Sequence, residues 1–251
     1  MKKILLTIIF SIITSTVNSQ QINGVVQQMN GLIGLWHFNA GTGTTEYDPI
    51  SKTVMTNNGA WVNGIYGYAL SFTSSSSQYA TISTDSNFQT SSITVCFWLY
   101  YIGGTGSEDV LLYRNGTDPG AFQVGRGLTA TTAGTVIALR TWGIDTGRYP
   151  FGYDRPFDMN ITKKWVHLAV TYDSKGGAWY LNGILKESNA TYWGGINPSV
   201  DLIKVSVMPE GNPYWYVTAY YDELAIFNRA ITATEVKAIY NSGKSRARIK
   251  K

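Results

Sequence analysis

Residues 216–241, YVTAYYDELAIFNRAITATEVKAIYN, constrain this chain most, because their periodicity changes part-way. The first half alternates apolar and polar residues with a period of two, the pattern of a half-buried β-strand. Tyr221 and Asp222 lead into a second strand-like piece, Glu223, Leu224, Ala225, Ile226 and Phe227. Beyond Arg229 the period becomes helical. Thr232 and Glu235 have the spacing of a capping box, Val236, Ile239 and Tyr240 recur at helical intervals, and Gly243 is placed to stop the helix. A final strand that gives way to one short helix is a specific way to finish an otherwise β-rich chain.

The rest of the chain reads as short strands parted by Gly, Ser, Thr, Asn and Asp, whose backbone preferences suit turns. Strands are expected near residues 32–38, 68–72, 79–82, 93–101, 110–113, 121–125, 136–140, 165–172, 178–181, 203–207 and 217–227. With 26 glycines against 7 prolines, tight turns are favoured over stiff linkers. Asp173 to Gly177 joins two strands as a hairpin, and Asn182-Gly183 follows as a second tight turn, so this region is a three-stranded meander. The fold class is therefore all-β: a two-sheet antiparallel β-sandwich (jelly roll) with one short C-terminal helix.

Residues 1–19 are set apart from the fold. Lys2 and Lys3 precede a short apolar run, and Val17-Asn18-Ser19 supplies small residues before Gln20, as in a secretory signal peptide. The apolar run is about half of the roughly 20 residues a transmembrane anchor needs. The organisation is then signal peptide 1–19, N-terminal lead 20–30, one domain at 31–243 and a basic tail at 244–251. A secreted product, extracellular or at the cell surface, is expected. The single cysteine, Cys96, has no partner for an internal disulfide and reads as a small buried hydrophobe in a dense apolar strand. The net charge of +4 arises from 20 basic and 16 acidic residues. Without Lys2, Lys3 and the tail residues Lys244, Arg246, Arg248, Lys250 and Lys251, 13 basic residues stand against 16 acidic ones. The fold itself is not basic, which argues against nucleic acid as a partner.

Four segments in order, GLIGLWHFNAGTGTTEYD, WVNGIYGYALSF, WVHLAVTYDSKGGAWYLNG and YYDELAIFNRAITATEVKAIYN, together with SSITVCFWLYY, resemble concanavalin A-like domains of the laminin-G-like jelly-roll type. The resemblance spans nearly the whole mature chain. It implies a sandwich that binds a glycan or an extracellular protein surface, often beside a calcium ion. It points for calcium to Asp222, which begins the last strand piece, and to the loop after the first strand, where Asp48 and then Asn39 are the further candidates. The alternative is that Asp48 caps a turn before Pro49 and Asp222 fixes a backbone amide.

Catalysis finds little support in the residues. Retaining glycosidases set two carboxylates roughly 5 Å apart, and in the sandwich glucanases of the resembled superfamily these lie two and four residues apart on one strand. No strand here is read as carrying Glu-x-Asp or Glu-x-x-x-Glu in that way, and adjacent Asp222 and Glu223 are expected on opposite faces of a strand. His37 and His167 read as structural strand positions, and no zinc spacing, phosphate loop or nucleophile elbow is present. No catalytic residue is assigned. Trp36, Trp98, Trp165 and Trp179 lie in strand runs and are expected in the core. Trp142, Tyr149, Tyr153, Arg155, Tyr192, Trp193, Tyr214 and Trp215 lie in Gly-, Pro- and Asn-rich stretches instead, and as a group they are the candidate ligand-binding face. The reading is a secreted, non-catalytic glycan- or surface-binding module. The alternative is a structural or adhesive subunit that assembles with other copies, and a divergent glycoside-active enzyme stands third.

Overall fold

The structure, a computed structural model, describes residues 25–27, 29–104, 108–114, 122–128, 135–141, 148–151, 161–190, 202–207 and 216–249. Two antiparallel sheets face each other. The first has the order β14 (Ile184–Asn189), β13 (Gly176–Leu181), β12 (Trp165–Asp173), β7 (Ile93–Gly104), β16 (Val217–Phe227), β5 (Tyr68–Phe72) and β4 (Ala60–Asn63), and β1 (Leu32–Trp36) also pairs with β16. The second runs β11 (Arg148–Phe151), β10 (Thr135–Thr141), β9 (Phe122–Leu128), β8 (Glu108–Arg114), β15 (Ile203–Val205), β6 (Ala80–Ile82), β3 (Val54–Asn57) and β2 (Thr45–Tyr47). The two-sheet sandwich expected from the sequence is therefore what forms.

The expected strands recur with small shifts, β14 forms as the third strand of the expected meander, and four more appear: β2, β3, β4 and β11. β11 falls inside one of the Gly- and Pro-rich stretches that carry the candidate ligand-binding residues. β7 explains why so apolar a strand shows no alternation. Ile93, Val95, Phe97, Leu99 and Tyr101 face the second sheet, while Cys96 and Trp98 face the opposite way, into a second core under the C-terminal helix α1 (Ala233–Ile249). Both faces of the strand are buried, so both must be apolar. Cys96 is fully buried there, and burial pushes its thiol up to about 12, as suits an inert core residue.

The capping box forms: Glu235 accepts from the Thr232 amide at 2.7 Å, and Thr232 Oγ1 accepts from the Glu235 amide at 3.2 Å. Gly243 does not stop the helix, which continues to Ile249 and takes in much of the basic tail. A Cβ at Gly243 would lie 2.5 Å from the Trp98 indole, so the glycine is where the helix lies flat on the sheet.

Candidate functional site

β1 and β16 pair antiparallel, Leu35 opposite Ala225 and Trp36 opposite Leu224. The loop after the first strand and the acidic pair of the last strand therefore meet. β5 holds the same flank of β16 further along, with Leu70 opposite Tyr221. At the changeover the β16–β7 register shifts between Asp222 and Ala225, and Glu223 takes φ +53°, in the left-handed region. This is a β-bulge, and its extra residue re-aims the side chains that follow. Before it Val217, Ala219 and Tyr221 face the sandwich core; after it Leu224 and Ile226 do. The bulge also corrects the expectation that Asp222 and Glu223 point apart. Asp222 takes the amide of Tyr66, a residue of the helix-side core, and Glu223 lines a small cavity with Leu35, Trp98, His167 and Ile239, also on that side.

Asp48 is fully buried. Its Oδ1 accepts from the amides of Leu35 (2.9 Å) and Ile50 (2.8 Å), and its Oδ2 from the Ser51 amide (2.7 Å) and the Ser51 hydroxyl. It thus closes its own turn while pinning the free edge of β1. Glu46, two residues earlier, holds the chain just past that strand: its Oε1 accepts from the Phe38 amide at 2.7 Å. Glu46-Tyr47-Asp48 therefore has the Glu-x-Asp spacing that no strand was expected to carry, with Glu46 on β2. Asp48 is committed to Leu35 of β1 and to its own turn, whereas Glu46 holds the Phe38 amide, beyond β1, through Oε1 alone, and its buried Oε2 has no partner among the described residues. Asn39 is exposed, and its Oδ1 accepts from the Tyr68 amide at 2.9 Å. Asp222 is fully buried; its Oδ2 accepts from Tyr66 at 3.0 Å and its Oδ1 has no hydrogen-bond partner among the described residues.

Calcium takes six to eight oxygens with lone pairs to spare. Four donors already fill Asp48, and Tyr68 takes Asn39, so Asp222 alone of the three keeps an oxygen without a partner. Among the described residues no three His, Cys, Asp or Glu side chains are grouped to hold a metal. In this structure Asp48 and Asp222 do what the alternative reading gave them: Asp48 caps a turn and Asp222 fixes a backbone amide.

The residue at the centre of this cluster is His37, read from the sequence as a structural strand position and found just past the end of β1. His37 Nδ1 lies 2.9 Å from Glu223 Oε2. Burial opposes its charged form, but the Glu223 hydrogen bond and the Glu223, Glu46 and Asp48 carboxylates outweigh it and hold His37 above its ordinary value. Burial pushes the Glu46 carboxyl up to about 7 against the Phe38 amide, which favours the charged form. Burial and then the Glu223 charge hold the Asp222 carboxyl well above its usual range. The cavity beside Glu223 has room of about 10 Å³, the scale of one water. His167, across that cavity, is a neutral core imidazole that burial holds down at about 3, its ring edge-on to Trp98.

Trp142, Tyr153, Arg155, Tyr192, Trp193, Tyr214 and Trp215 lie outside the described residues; Tyr149 lies on β11, its side chain outside them. Of the strand tryptophans, Trp36, Trp98 and Trp179 are buried, as expected. Trp165 is half-buried and stands in a row that had not been singled out. It pairs with Tyr100, and Tyr100 with Tyr220, across three adjacent strands on the helix side of the first sheet. Tyr100 and Tyr220 are stacked at 5.2 Å, with Trp165 edge-on to Tyr100 at 5.7 Å, and all three are partly exposed.

Residues 74–237 match the family described as the concanavalin A-like lectin/glucanases superfamily. The chain belongs to that superfamily. No curated protein matches it in sequence. Among solved structures, this superfamily member is similar to domain 4 of AbnA, an extracellular GH43 arabinanase from Geobacillus stearothermophilus, in complex with arabinotriose. The TM-score is 0.62 at 16% identity, covering 83% of this chain and 98% of that one. It is also similar to the botulinum neurotoxin type G receptor binding domain, TM-score 0.60 at 19% identity over 84% of this chain and 51% of that one. A third is a botulinum neurotoxin type C structure whose cell entry depends on two ganglioside molecules, TM-score 0.62 at 13% identity, 88% and 53% covered. The chain thus spans about half the length of the neurotoxin chains and nearly all of the arabinanase domain. At these identities the likeness is one of fold. Among the described residues no helix is long and apolar enough to cross a membrane.

Proposed function

We propose that this protein is a secreted, non-catalytic module that binds an extracellular glycan. The observation that carries the reading is the likeness, over nearly the whole of that domain, to one domain of an extracellular arabinanase held with an oligosaccharide. The partly exposed Trp165–Tyr100–Tyr220 row supports it, since sugar rings stack on aromatic faces presented by a rigid sheet. The acidic cluster supports binding over hydrolysis: Asp48 is held by the Leu35, Ile50 and Ser51 amides, and the cavity at Glu223 admits no sugar. The first test is a glycan array with the chain from Gln20, with and without chelator. Binding to any oligosaccharide class without its turnover is the expected result. Turnover that Glu46→Gln abolishes would overturn the non-catalytic reading.

One observation favours assembly as a second reading. β14 is an edge strand of the first sheet, and its first two residues, Ile184 and Leu185, are 62% and 49% exposed. These two exposed apolar side chains on an edge strand offer a pairing point, the rest of β14, from Lys186 to Asn189, being polar. Light scattering on the purified chain separates the readings: a stable oligomer that binds no glycan favours assembly.

A further inference from the structure

A chain with one cysteine cannot close an internal disulfide, and Cys96 is sealed in the helix-side core. Any covalent link within the folded sandwich must come from other side chains, and one pair of tyrosines is placed for it. Tyr100 on β7 stands directly opposite Tyr220 on β16, in a ladder that continues in step to Leu99 opposite Tyr221. Their ring centroids lie 5.2 Å apart and the rings are 11° from parallel. Other ring contacts on this face are tilted or edge-on: Trp98 with Tyr240 at 32°, Trp165 with Tyr220 at 52° and Trp165 with Tyr100 at 62°.

The pair is also accessible. The next residue on each strand, Tyr101 and Tyr221, is buried in the core between the sheets, whereas Tyr100 and Tyr220 are partly exposed on the opposite face. An oxidant in solution therefore reaches both members together. Trp165 stands 5.7 Å from Tyr100 and 6.4 Å from Tyr220, a ring wall that limits how far either phenol can swing from the other. Both strands are central in their sheet, β7 between β12 and β16 and β16 between β7 and β5, so their backbones are held at ladder distance. The freedom that remains is the broad terminal torsion of each ring, the motion that brings two ring carbons into bonding contact.

We infer that Tyr100 and Tyr220 form an oxidative cross-linking site, joined as a dityrosine by hydrogen peroxide acting through a haem peroxidase. Each phenol gives up one electron and its hydroxyl proton, leaving two phenoxyl radicals side by side. Their unpaired density lies partly on the ring carbons ortho to oxygen, and a carbon–carbon bond forms between one such carbon of each ring. The two ring hydrogens at the new bond leave as protons while the two oxygens regain protons, which restores both phenols. The balance is two electrons and two protons lost, and these reduce one hydrogen peroxide to two waters. The bond ties position 100 to position 220, and closing so long a loop restricts the unfolded chain far more than the folded one. It does for this sandwich what disulfides do for other extracellular domains.

The test treats the full chain from Gln20 with hydrogen peroxide and a haem peroxidase, then separates monomer from covalent dimer before dityrosine fluorescence is read. The expected result is fluorescence in the monomer, a mass lower by two hydrogens, and a digest peptide that joins β7 to β16. The oxidised monomer should melt at a higher temperature than the untreated chain. Tyr100→Phe and Tyr220→Phe each keep the ring and its packing, and each should abolish the monomer signal. Tyr47→Phe, at a position 69% exposed on β2, should leave that signal unchanged. A monomer without dityrosine, or a monomer signal that survives both Phe variants, would overturn the site. Dityrosine confined to covalent dimers would do the same, since the reacting tyrosines would then belong to separate molecules. A cross-linked monomer with an unchanged melting temperature would overturn the stapling role.

Discussion

His37 Nδ1 lies 2.9 Å from Glu223 Oε2, joining the end of the first strand to the bulge of the last across 186 residues of chain. Both ends of this link are conformationally costly. Glu223 has φ +53°, and so has Phe38, the residue after His37. Left-handed backbone at non-glycine residues costs on the order of 1–3 kcal/mol and persists only where the surroundings enforce it. The His37–Glu223 pair, with the Phe38 amide bound by Glu46, is what enforces it here.

The first prediction concerns this pair. Replacing Glu223 by Ala leaves His37 half-buried without its partner and should lower stability by about 2–3 kcal/mol in urea denaturation. Glu223→Gln keeps a hydrogen-bonding group but removes the charge that raises His37. The His37 ring, followed by NMR, should then titrate at lower pH than in wild type. An unchanged His37 titration in Glu223→Gln would show that Glu223 does not govern the imidazole.

Glu46 gives a pH dependence with a definite sign. Its folded value of about 7 lies above the ordinary 4.5, so the folded chain holds this proton more tightly than the unfolded one. Ionising it therefore removes stability as pH rises from 4.5 through about 7. Asp222, also raised, acts in the same direction, whereas His167, held down at about 3, loses stability as pH falls below 6.5. Glu46→Gln isolates the one contribution. The variant should be more stable than wild type at pH 8 by on the order of 1–3 kcal/mol, and the gap should close by pH 5. Denaturation at both pH values measures it; a gap that does not vary with pH would show that Glu46 does not titrate in this range.

The edges of what the sequence reveals follow the same physics. β5 and β16 were legible, at 68–72 and 217–227, because each pairs with long, apolar neighbours that impose a pattern. β2, β3 and β4 have only three or four residues each, several of them polar, and partner strands decide their conformation more than their own residues do. That Asp48 and Asp222 belong to one region was readable, because β1 and β16 are adjacent. The His37–Glu223 link was not, because it depends on a glutamate in left-handed backbone, and no residue preference announces that. Gly243 misled for a related reason: a glycine near a helix end reads as a stop, and only the packing on Trp98 shows it to be a spacer.

Gly243 thus carries a prediction with an unusual sign. In an exposed helix interior, Gly→Ala stabilises by roughly 1 kcal/mol. Here the added methyl would stand 2.5 Å from Trp98 Cζ2 and 2.9 Å from its Nε1, with Trp98 2% exposed and unable to retreat. Gly243→Ala should destabilise by about 1–3 kcal/mol, the cost of overpacking. Asn241→Ala, at an exposed position of the same helix, should be neutral or slightly stabilising. A stabilised Gly243→Ala would mean that the helix does not lie against Trp98.

The last prediction separates the hydrogen-bonded role of Asp48 from an ionic one. Its carboxylate receives the Leu35, Ile50 and Ser51 amides and the Ser51 hydroxyl. Asn in its place presents N–H hydrogens where at least one of these donors now points, leaving buried donors face to face. Asp48→Asn should therefore lower the melting temperature, by an amount corresponding to about 2–4 kcal/mol. Because no cation is involved in these bonds, the loss should be the same in millimolar calcium and in chelator. Wild type itself should melt at one temperature in both. A wild-type gain in calcium that Asp48→Asn removes would restore Asp48 as a calcium ligand and require the turn to open to admit the ion.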